Sequence, residues 1–142
     1  MPTRVIRSSL AMDEVTTVSP DLQASLICED VRQEVNGMQT LVGIINMIPA
    51  RVLPVAILKL CVWTRWCGGI GRFRQVSRIL GADEEQVLAE SQIQFELKEM
   101  ESHVTNVNLF TGVQFQRYGL HYVEILLENE LRLRYPVPVV KV

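Results

Sequence analysis

Residues 119–140 decide the fold class, and they read Gly-Leu-His-Tyr-Val-Glu-Ile-Leu-Leu-Glu-Asn-Glu-Leu-Arg-Leu-Arg-Tyr-Pro-Val-Pro-Val-Val. Successive side chains of a strand point to opposite faces, so this alternation of apolar and charged residues predicts two half-buried strands. A three-residue loop at 128–130 keeps the apolar residues on one face, which fixes the register. The resulting cross-strand pairs are Val123–Tyr135, Glu124–Arg134, Ile125–Leu133 and Leu127–Leu131.

Two prolines near the end of the chain add a prediction about position in the sheet. Pro136 and Pro138 have no N–H to donate to a neighbouring strand. Because such residues are found mainly in edge strands, we expect the last strand to lie at an edge.

A second hairpin is predicted over residues 22–47, because Asn36-Gly37 suits a turn in which both central residues have positive φ. The far ends of both strands are apolar on both faces, which predicts strands that lie inside a sheet or are covered on both sides. A two-residue loop gives the pairs Val35–Met38, Val31–Val42, Cys28–Ile45 and Leu26–Met47.

The middle of the chain continues in the same style. Residues 48–55 form a connection with two prolines, and 56–66 alternate as a strand. The glycine-rich segment 67–71 is a turn, and 72–80 is a return strand with no cleanly apolar face. Of the two faces of 56–66, the core face would carry Leu58, Leu60, Val62, Thr64 and Trp66, and the outer face Lys59, Cys61, Trp63 and Arg65.

Two later segments are less regular. Residues 83–101 alternate as a strand, but Asp83 and the acidic residues after it also resemble a helix start, so both readings stay open. Residues 104–117 predict a strand with a kink or bulge at Gly112. Short strands at this spacing predict one all-β domain over 21–142, an antiparallel sandwich of about seven or eight strands. Residues 1–20 predict a flexible or loosely docked arm, and the alternative is a strand or short helix that covers a sheet edge or a partner.

Composition excludes several classes of protein. The net charge of −2 argues against a general nucleic-acid binder. No apolar run is long enough for a membrane helix, and the first residues do not resemble a secretory leader. Three cysteines, an odd number, do not suggest a disulfide framework, so we expect a reducing, cytoplasmic location.

A further set of segments lies at the predicted strand centres and turns. They are Ile27-Cys28-Glu29-Asp30-Val31-Arg32, Asn36-Gly37, Leu41-Val42-Gly43-Ile44, Leu58-Lys59-Leu60-Cys61, Asn108-Leu109-Phe110, Phe115, Gly119, Tyr122-Val123-Glu124-Ile125 and Tyr135-Pro136. Together they resemble a family of small, uncharacterised bacterial proteins classed as a domain of unknown function. The resemblance covers roughly residues 21–140. It implies one sandwich like an immunoglobulin or C2 domain, without catalytic residues, and it favours a strand over 87–97.

No reactive constellation accompanies this fold. The glycines of 67–71 lack the Lys-Ser/Thr of a phosphate loop. His103 and His121 have no nearby carboxylate or cysteine at metal spacing, and the aspartates are too scattered for a calcium site. We therefore expect no enzyme activity, no cofactor and no metal.

Charge is distributed unevenly along the chain. Residues 35–82 contain no acid and carry net +6, whereas 83–101 carry net −6. If the two segments are neighbours, they neutralise each other. Otherwise the two segments solvate separate faces, or a basic sheet face meets an acidic partner or polyanion, with Trp63 as an aromatic anchor. The candidate binding residues are Lys59, Trp63, Arg65, Arg72 and Arg74.

These observations favour a non-enzymatic interaction or assembly module. Its partner would be another protein, acidic where it meets the basic face, or a second copy of the chain. The alternative is a sandwich that binds a small ligand or carbohydrate through Trp63, Trp66 and nearby arginines.

Overall fold

A computed structural model describes residues 4–7, by their backbone, and residues 16–142. The described residues form strands and no helix, which confirms the all-β prediction. In chain order the strands are β1 (Arg4–Arg7), β2 (Thr16–Ser19), β3 (Asp21–Gln33), β4 (Gln39–Ile44), β5 (Ile48–Ala50), β6 (Val55–Cys67), β7 (Gly71–Leu80), β8 (Val87–Leu97), β9 (His103–Phe115), β10 (Gly119–Leu127) and β11 (Glu130–Lys141).

These strands form two main sheets. One has the order β4-β3-β6-β9 and the other β5-β11-β10-β7-β8, while β1 and β2 pair separately. All pairs are antiparallel except β5 with β11. Inward side chains of both sheets share one buried core, so the sheets face each other. Its largest members include Leu60, Trp66, Phe73, Phe95, Phe110, Phe115, Ile125 and Leu127.

The two main sheets contain nine strands, more than the seven or eight predicted. The additional strand is β5, inside the proline-containing segment that predicted only a connection. Ile48 and Ala50 are buried, and β5 runs parallel to residues 139–141 of β11. A strand of three residues is too short to show alternation in a sequence.

Part of the predicted arm, residues 1–20, also pairs. Val18 of β2 is buried, and its backbone exchanges two hydrogen bonds of 2.9 Å with Ile70. Arg132 donates to the Pro20 carbonyl at 3.0 Å, which ties the start of β3 to β11. Residues 1–3 and 8–15 of the predicted arm lie outside the described residues.

The ambiguous segment 83–101 contains β8, so its helix reading is wrong. Asp83 does act as a cap, because its Oδ1 accepts from the backbone N–H groups of Glu85 and Gln86 at 3.1 and 3.0 Å. These bonds close a turn rather than a helix, and Glu84 within it has φ of +65°. A capping aspartate therefore gives the same sequence signal for both structures.

The final hairpin has the predicted register over most of its length. Three predicted pairs are present, Val123–Tyr135, Glu124–Arg134 and Ile125–Leu133. The predicted pair Leu127–Leu131 is wrong, because Leu127 faces Glu130 across a two-residue turn. Glu128 and Asn129 occupy that turn with φ of +48° and +65°, and a bulge near Leu126 restores the register.

The last strand lies at an edge for most of its length. Over residues 130–138, β10 is the only strand of the described chain that pairs with β11. Residues 139–141 also pair with β5, so the predicted edge position holds where Pro136 and Pro138 lie.

The register predicted for the Asn36-Gly37 hairpin is wrong by one residue. Cys28 faces Ile44 rather than Ile45, and Val31 faces Leu41 rather than Val42. Gly37 has a positive φ of +87°, whereas Asn36 does not. Glu34 N–H bonds the Met38 carbonyl at 2.8 Å, so the loop has three residues instead of the predicted two.

The strand predicted over 56–66 is β6, with one correction to its core face. Leu60, Val62 and Trp66 are buried, but Leu58 is 85% exposed. Leu58 lies opposite Gly112, which has φ of +65°, and both strands change the phase of their alternation there. The structure thus confirms the predicted kink at Gly112 and shows why Leu58 leaves the core.

The inward face of β7 is polar at its centre, which explains why the sequence of 72–80 showed no clean apolar face. Gln75 and Ser77 are both fully buried and point between the sheets. Gln75 Oε1 accepts three bonds of 2.8–2.9 Å, from the Trp66 indole, the Thr64 hydroxyl and the Asn106 amide. Gln75 therefore joins its own sheet to β6 and β9 of the opposite sheet.

Trp66 fixes the direction of this network. An indole N–H can only donate, so the Gln75 atom that faces it must be the amide oxygen. The Gln75 amide nitrogen then donates to Ser77 Oγ at 2.9 Å and to Asn108 Oδ1 at 3.2 Å. The Asn108 nitrogen in turn donates to Ser91 Oγ at 3.0 Å. Each amide in the network has one consistent orientation.

We expect Gln75→Leu to lower the free energy of unfolding by about 3–5 kcal/mol, because several buried donors lose their acceptor at once. Urea unfolding measures the loss. Gln94→Leu is the matched control, since Gln94 is exposed on the neighbouring strand, and it should change stability by less than about 0.5 kcal/mol. Equal losses in the two variants would contradict the role given to Gln75.

Candidate interaction surface

The outer face of the four-stranded sheet carries five large apolar side chains, which we call the apolar patch. Leu26, Trp63 and Val107 lie opposite one another on β3, β6 and β9. The next row with the same orientation ends in Ile44 on β4 and Leu109 on β9. Leu26, Ile44 and Leu109 are 38%, 50% and 53% exposed, and Trp63 and Val107 are half-buried. The patch thus spans all four strands.

Trp63 is held in place within the patch. Its indole N–H donates to Gln39 Oε1 at 2.8 Å. Gln39 is the first residue of β4, next to the turn of the β3–β4 hairpin. The hairpin therefore reaches the ring and limits its movement. A ring with a fixed orientation loses little conformational freedom when a partner binds it.

Lys59 lies beside the patch, and its charge is already compensated. Its Nζ forms an ion pair of 2.6 Å with Asp30 Oδ1, across the β3–β6 pair. This hydrogen bond lowers the pKa of the Asp30 carboxyl and raises the pKa of the Lys59 ammonium. The pair is exposed to solvent, so it contributes little to affinity for an acidic partner.

Arg65 lies on the same outer face, one row beyond Trp63. It is half-buried between Ala24 on β3 and Thr105 on β9. Its Nε is buried and has no hydrogen-bond partner within the described part of the chain. Lys59 and Arg65 therefore differ on this face, because Lys59 has an ion-pair partner whereas Arg65 Nε has no hydrogen bond in the described part of the chain.

The structure places Arg72 and Arg74 on the other sheet, away from the predicted companions Lys59, Trp63 and Arg65. Arg72 lies opposite Glu96 and forms an ion pair of 2.9 Å with it. Arg74 donates to the Asn129 side chain at 2.7 Å. The five candidate residues thus form two groups on different sheets.

The uneven charge along the chain is explained by the same strand pair. The basic strand β7 runs beside the acidic strand β8, and Arg78 also forms an ion pair of 2.9 Å with Glu90 directly opposite. Cross-strand pairs of opposite charge stabilise a sheet modestly. For β7 and β8, the structure therefore supports the first interpretation of the charge pattern: the basic and acidic segments are neighbours and neutralise each other.

Trp66 is not available to a ligand, contrary to the alternative prediction. It is fully buried, stacks on Phe95 with ring centroids 5.7 Å apart, and donates to Gln75. A depression of about 570 Å³ lies instead on the β7–β8 hairpin. Its lining includes Arg74, Gln94 and Phe95.

Residues 16–142 contain no group of three histidine, cysteine or acidic side chains that could hold a metal ion. His121 is buried, where its Nδ1 lies 3.1 Å from the Gly119 carbonyl and its ring meets the edge of Phe115. His103 lies opposite Cys67 at the end of the sheet. Among the described residues, no helix has the length and hydropathy needed to span a membrane.

A family model described as a family of unknown function, DUF6941, matches residues 23–140. The chain belongs to DUF6941. The match includes the apolar patch, the Gln75 network and all but the first two residues of β3 and the last residue of β11 in the main sheets, and it begins after β2. No curated protein matches this DUF6941 chain.

A groove of about 310 Å³ opens between the two sheets at the side where β3 and β11 approach each other. Leu26, Ile44 and Leu133 line it, and the hydroxyl groups of Ser25 and Tyr135 are 3.0 Å apart beside it. Burial raises the pKa of Tyr135 to about 12, although the bond to Ser25 opposes this shift. The neutral phenol is therefore part of the folded state.

We expect the free energy of unfolding to fall as the pH rises from about 10 to about 12, because the unfolded chain loses the Tyr135 proton first. In Tyr135→Phe this loss should be smaller, by on the order of 2 kcal/mol. Urea unfolding of both proteins across this range provides the measurement. Parallel curves for the two proteins would show that Tyr135 does not titrate in this way.

Proposed function

We propose that the protein is a non-enzymatic interaction or assembly module built on a β-sandwich of the immunoglobulin or C2 kind. The shared core of two facing sheets supports the sandwich. The interface we assign is the apolar patch of Leu26, Ile44, Trp63, Val107 and Leu109. In line with the sequence predictions, the protein would be a bacterial, cytoplasmic one with a protein partner.

The observation that carries this proposal is the exposure of the patch. The outward face of a sheet normally carries polar side chains, yet here one apolar row crosses three strands and the adjacent row carries Ile44 and Leu109 at its two ends. Contiguous exposed apolar surface marks interaction sites, and tryptophan is enriched at residues that dominate binding energy. A rigid Trp63 among exposed aliphatic residues has this composition.

The charges around the patch indicate how the partner would be oriented. Lys59 and Asp30 neutralise each other at one side, while Arg65 offers a guanidinium at the other. A partner with an apolar segment and one carboxylate placed toward Arg65 would match this distribution. A second copy of the chain is the alternative occupant.

We expect Leu109→Ser to reduce partner capture at least tenfold, because it removes the aliphatic side chain with the largest exposed fraction in the apolar patch. Leu120→Ser is the matched control, since Leu120 is 50% exposed on the other sheet, against 53% for Leu109. Affinity capture with quantitative mass spectrometry compares wild type with both variants, and sedimentation velocity reports self-association. Unchanged capture and sedimentation with Leu109→Ser would reject the interface.

A small-ligand site is the second candidate, and the 570 Å³ depression on β7 and β8 supports it. Arg74 and Gln94 contribute donors at this depression, and the largely buried Phe73 and Phe95 lie beside them. Here a small acidic sugar should raise the melting temperature of wild type but not of Arg74→Ala, which thermal-shift assays measure. No shift with a panel of such sugars would leave the apolar patch as the better-supported site.

A further inference from the structure

Two of the three free cysteines face each other across adjacent strands. Cys28 on β3 lies directly opposite Cys61 on β6 in the register of that antiparallel pair. Directly opposed residues have Cα atoms about 4.5 or 5.5 Å apart, depending on the type of pair. Both distances lie within the roughly 4.4–6.8 Å that a disulfide spans. The backbone therefore already has the spacing that a bridge would need.

The two thiols also have a common environment. Cys28 Sγ lies 3.3 Å from the Asp30 carbonyl oxygen, and Cys61 Sγ lies 3.9 Å from the Glu29 carbonyl oxygen. These acceptors belong to consecutive residues of β3, so both sulfur atoms lie beside one short segment. The cysteines are 0% and 2% exposed, respectively.

Burial also affects the reactivity of the pair. Burial is the main cause that raises the pKa of the Cys28 and Cys61 thiols, so in the folded protein both are mainly in the protonated form at neutral pH. The nucleophile in thiol chemistry is the thiolate. The dithiol therefore reacts slowly, when a local opening exposes one of the two sulfur atoms.

We propose that Cys28 and Cys61 form a redox modification site that takes a small-molecule disulfide, such as oxidised glutathione, and closes to an intramolecular bridge. The first thiolate attacks one sulfur of the reagent, forms a mixed disulfide and releases one thiol. The second thiolate attacks the protein sulfur of the mixed disulfide and releases the second thiol. The protein loses two protons and two electrons, and the reagent takes them up and is reduced to two thiols.

The position of the bridge gives it a structural effect. Cys28 and Cys61 lie in the row that ends in Ile44 and Leu109, so a bridge would fasten β3 to β6 beneath the apolar patch. Cys67 provides an internal comparison, because it is half-buried and faces Asp21 and His103 rather than another cysteine. The inference does not rest on the proposed function, since the chemistry requires only the thiol pair.

The experiment is to treat the folded full chain with oxidised glutathione and map its peptides without reduction. We expect a Cys28–Cys61 linkage as the main intramolecular product in wild type and in Cys67→Ser. Cys28→Ser and Cys61→Ser should instead retain glutathione on the remaining member of the pair. Oxidised wild type should melt roughly 5–15 °C higher than the reduced protein, because the bridge restricts the unfolded chain.

Two outcomes would overturn the inference. One is modification of Cys67 alone while Cys28 and Cys61 stay reduced in the folded protein at every oxidant concentration. The other is a linkage that forms only in denaturant and lowers the melting temperature after refolding. Because Cys67→Ser keeps the pair intact, it separates these outcomes from any failure of the serine variants to fold.

Discussion

The structure depends on one buried acceptor, the side-chain oxygen of Gln75. It receives hydrogen bonds from Trp66, Thr64 and Asn106, all of which lie on the opposite sheet. Hydrophobic contact alone holds two sheets together but tolerates small sliding movements, whereas three bonds that converge on one atom do not. The network thus fixes how the four-stranded sheet sits on the five-stranded one. The outward rows of each sheet inherit that fixed position, including the apolar patch.

Most strands could be predicted because alternation records burial on one face. The pairs around Ile125 and Leu133 follow from this signal alone. The register of the Asn36-Gly37 hairpin could not be predicted, because Asn-Gly suits a two-residue loop, whereas the structure has a three-residue loop that also includes Val35 and leaves Asn36 without a positive φ. The positive φ of Glu128 was equally hidden, since residues other than glycine rarely adopt it.

The polar interior was missed for a related reason. A sequence does not show whether a glutamine is buried or exposed. Because Gln75 and Ser77 are polar but lie on the buried face of β7, the alternation along this strand did not reveal which face is buried. Thr64 on β6 and Asn106 and Asn108 on β9 alternate in phase with the inward apolar residues of their strands. Polar residues at these inward positions are the sequence signal that could have revealed a buried network. The candidate site was predictable only in part. Parity alone places Lys59, Trp63 and Arg65 together, but Leu26, Ile44 and Leu109 join them only through a strand order that the alternation does not specify.

The short strand β5 has a consequence for the behaviour of the protein in a crowded solution. It covers residues 139–141 of β11 and is itself only three residues long, with Pro49 at its centre. Exposed strand edges recruit strands from other molecules and so promote aggregation, and proline discourages this because it has no N–H to offer. At this end of β11, a strand from another molecule would have to pair with β5, which has three residues and no backbone N–H at Pro49. Growth of an endless sheet from that rim is thereby disfavoured, while the apolar patch stays free to meet a partner face to face.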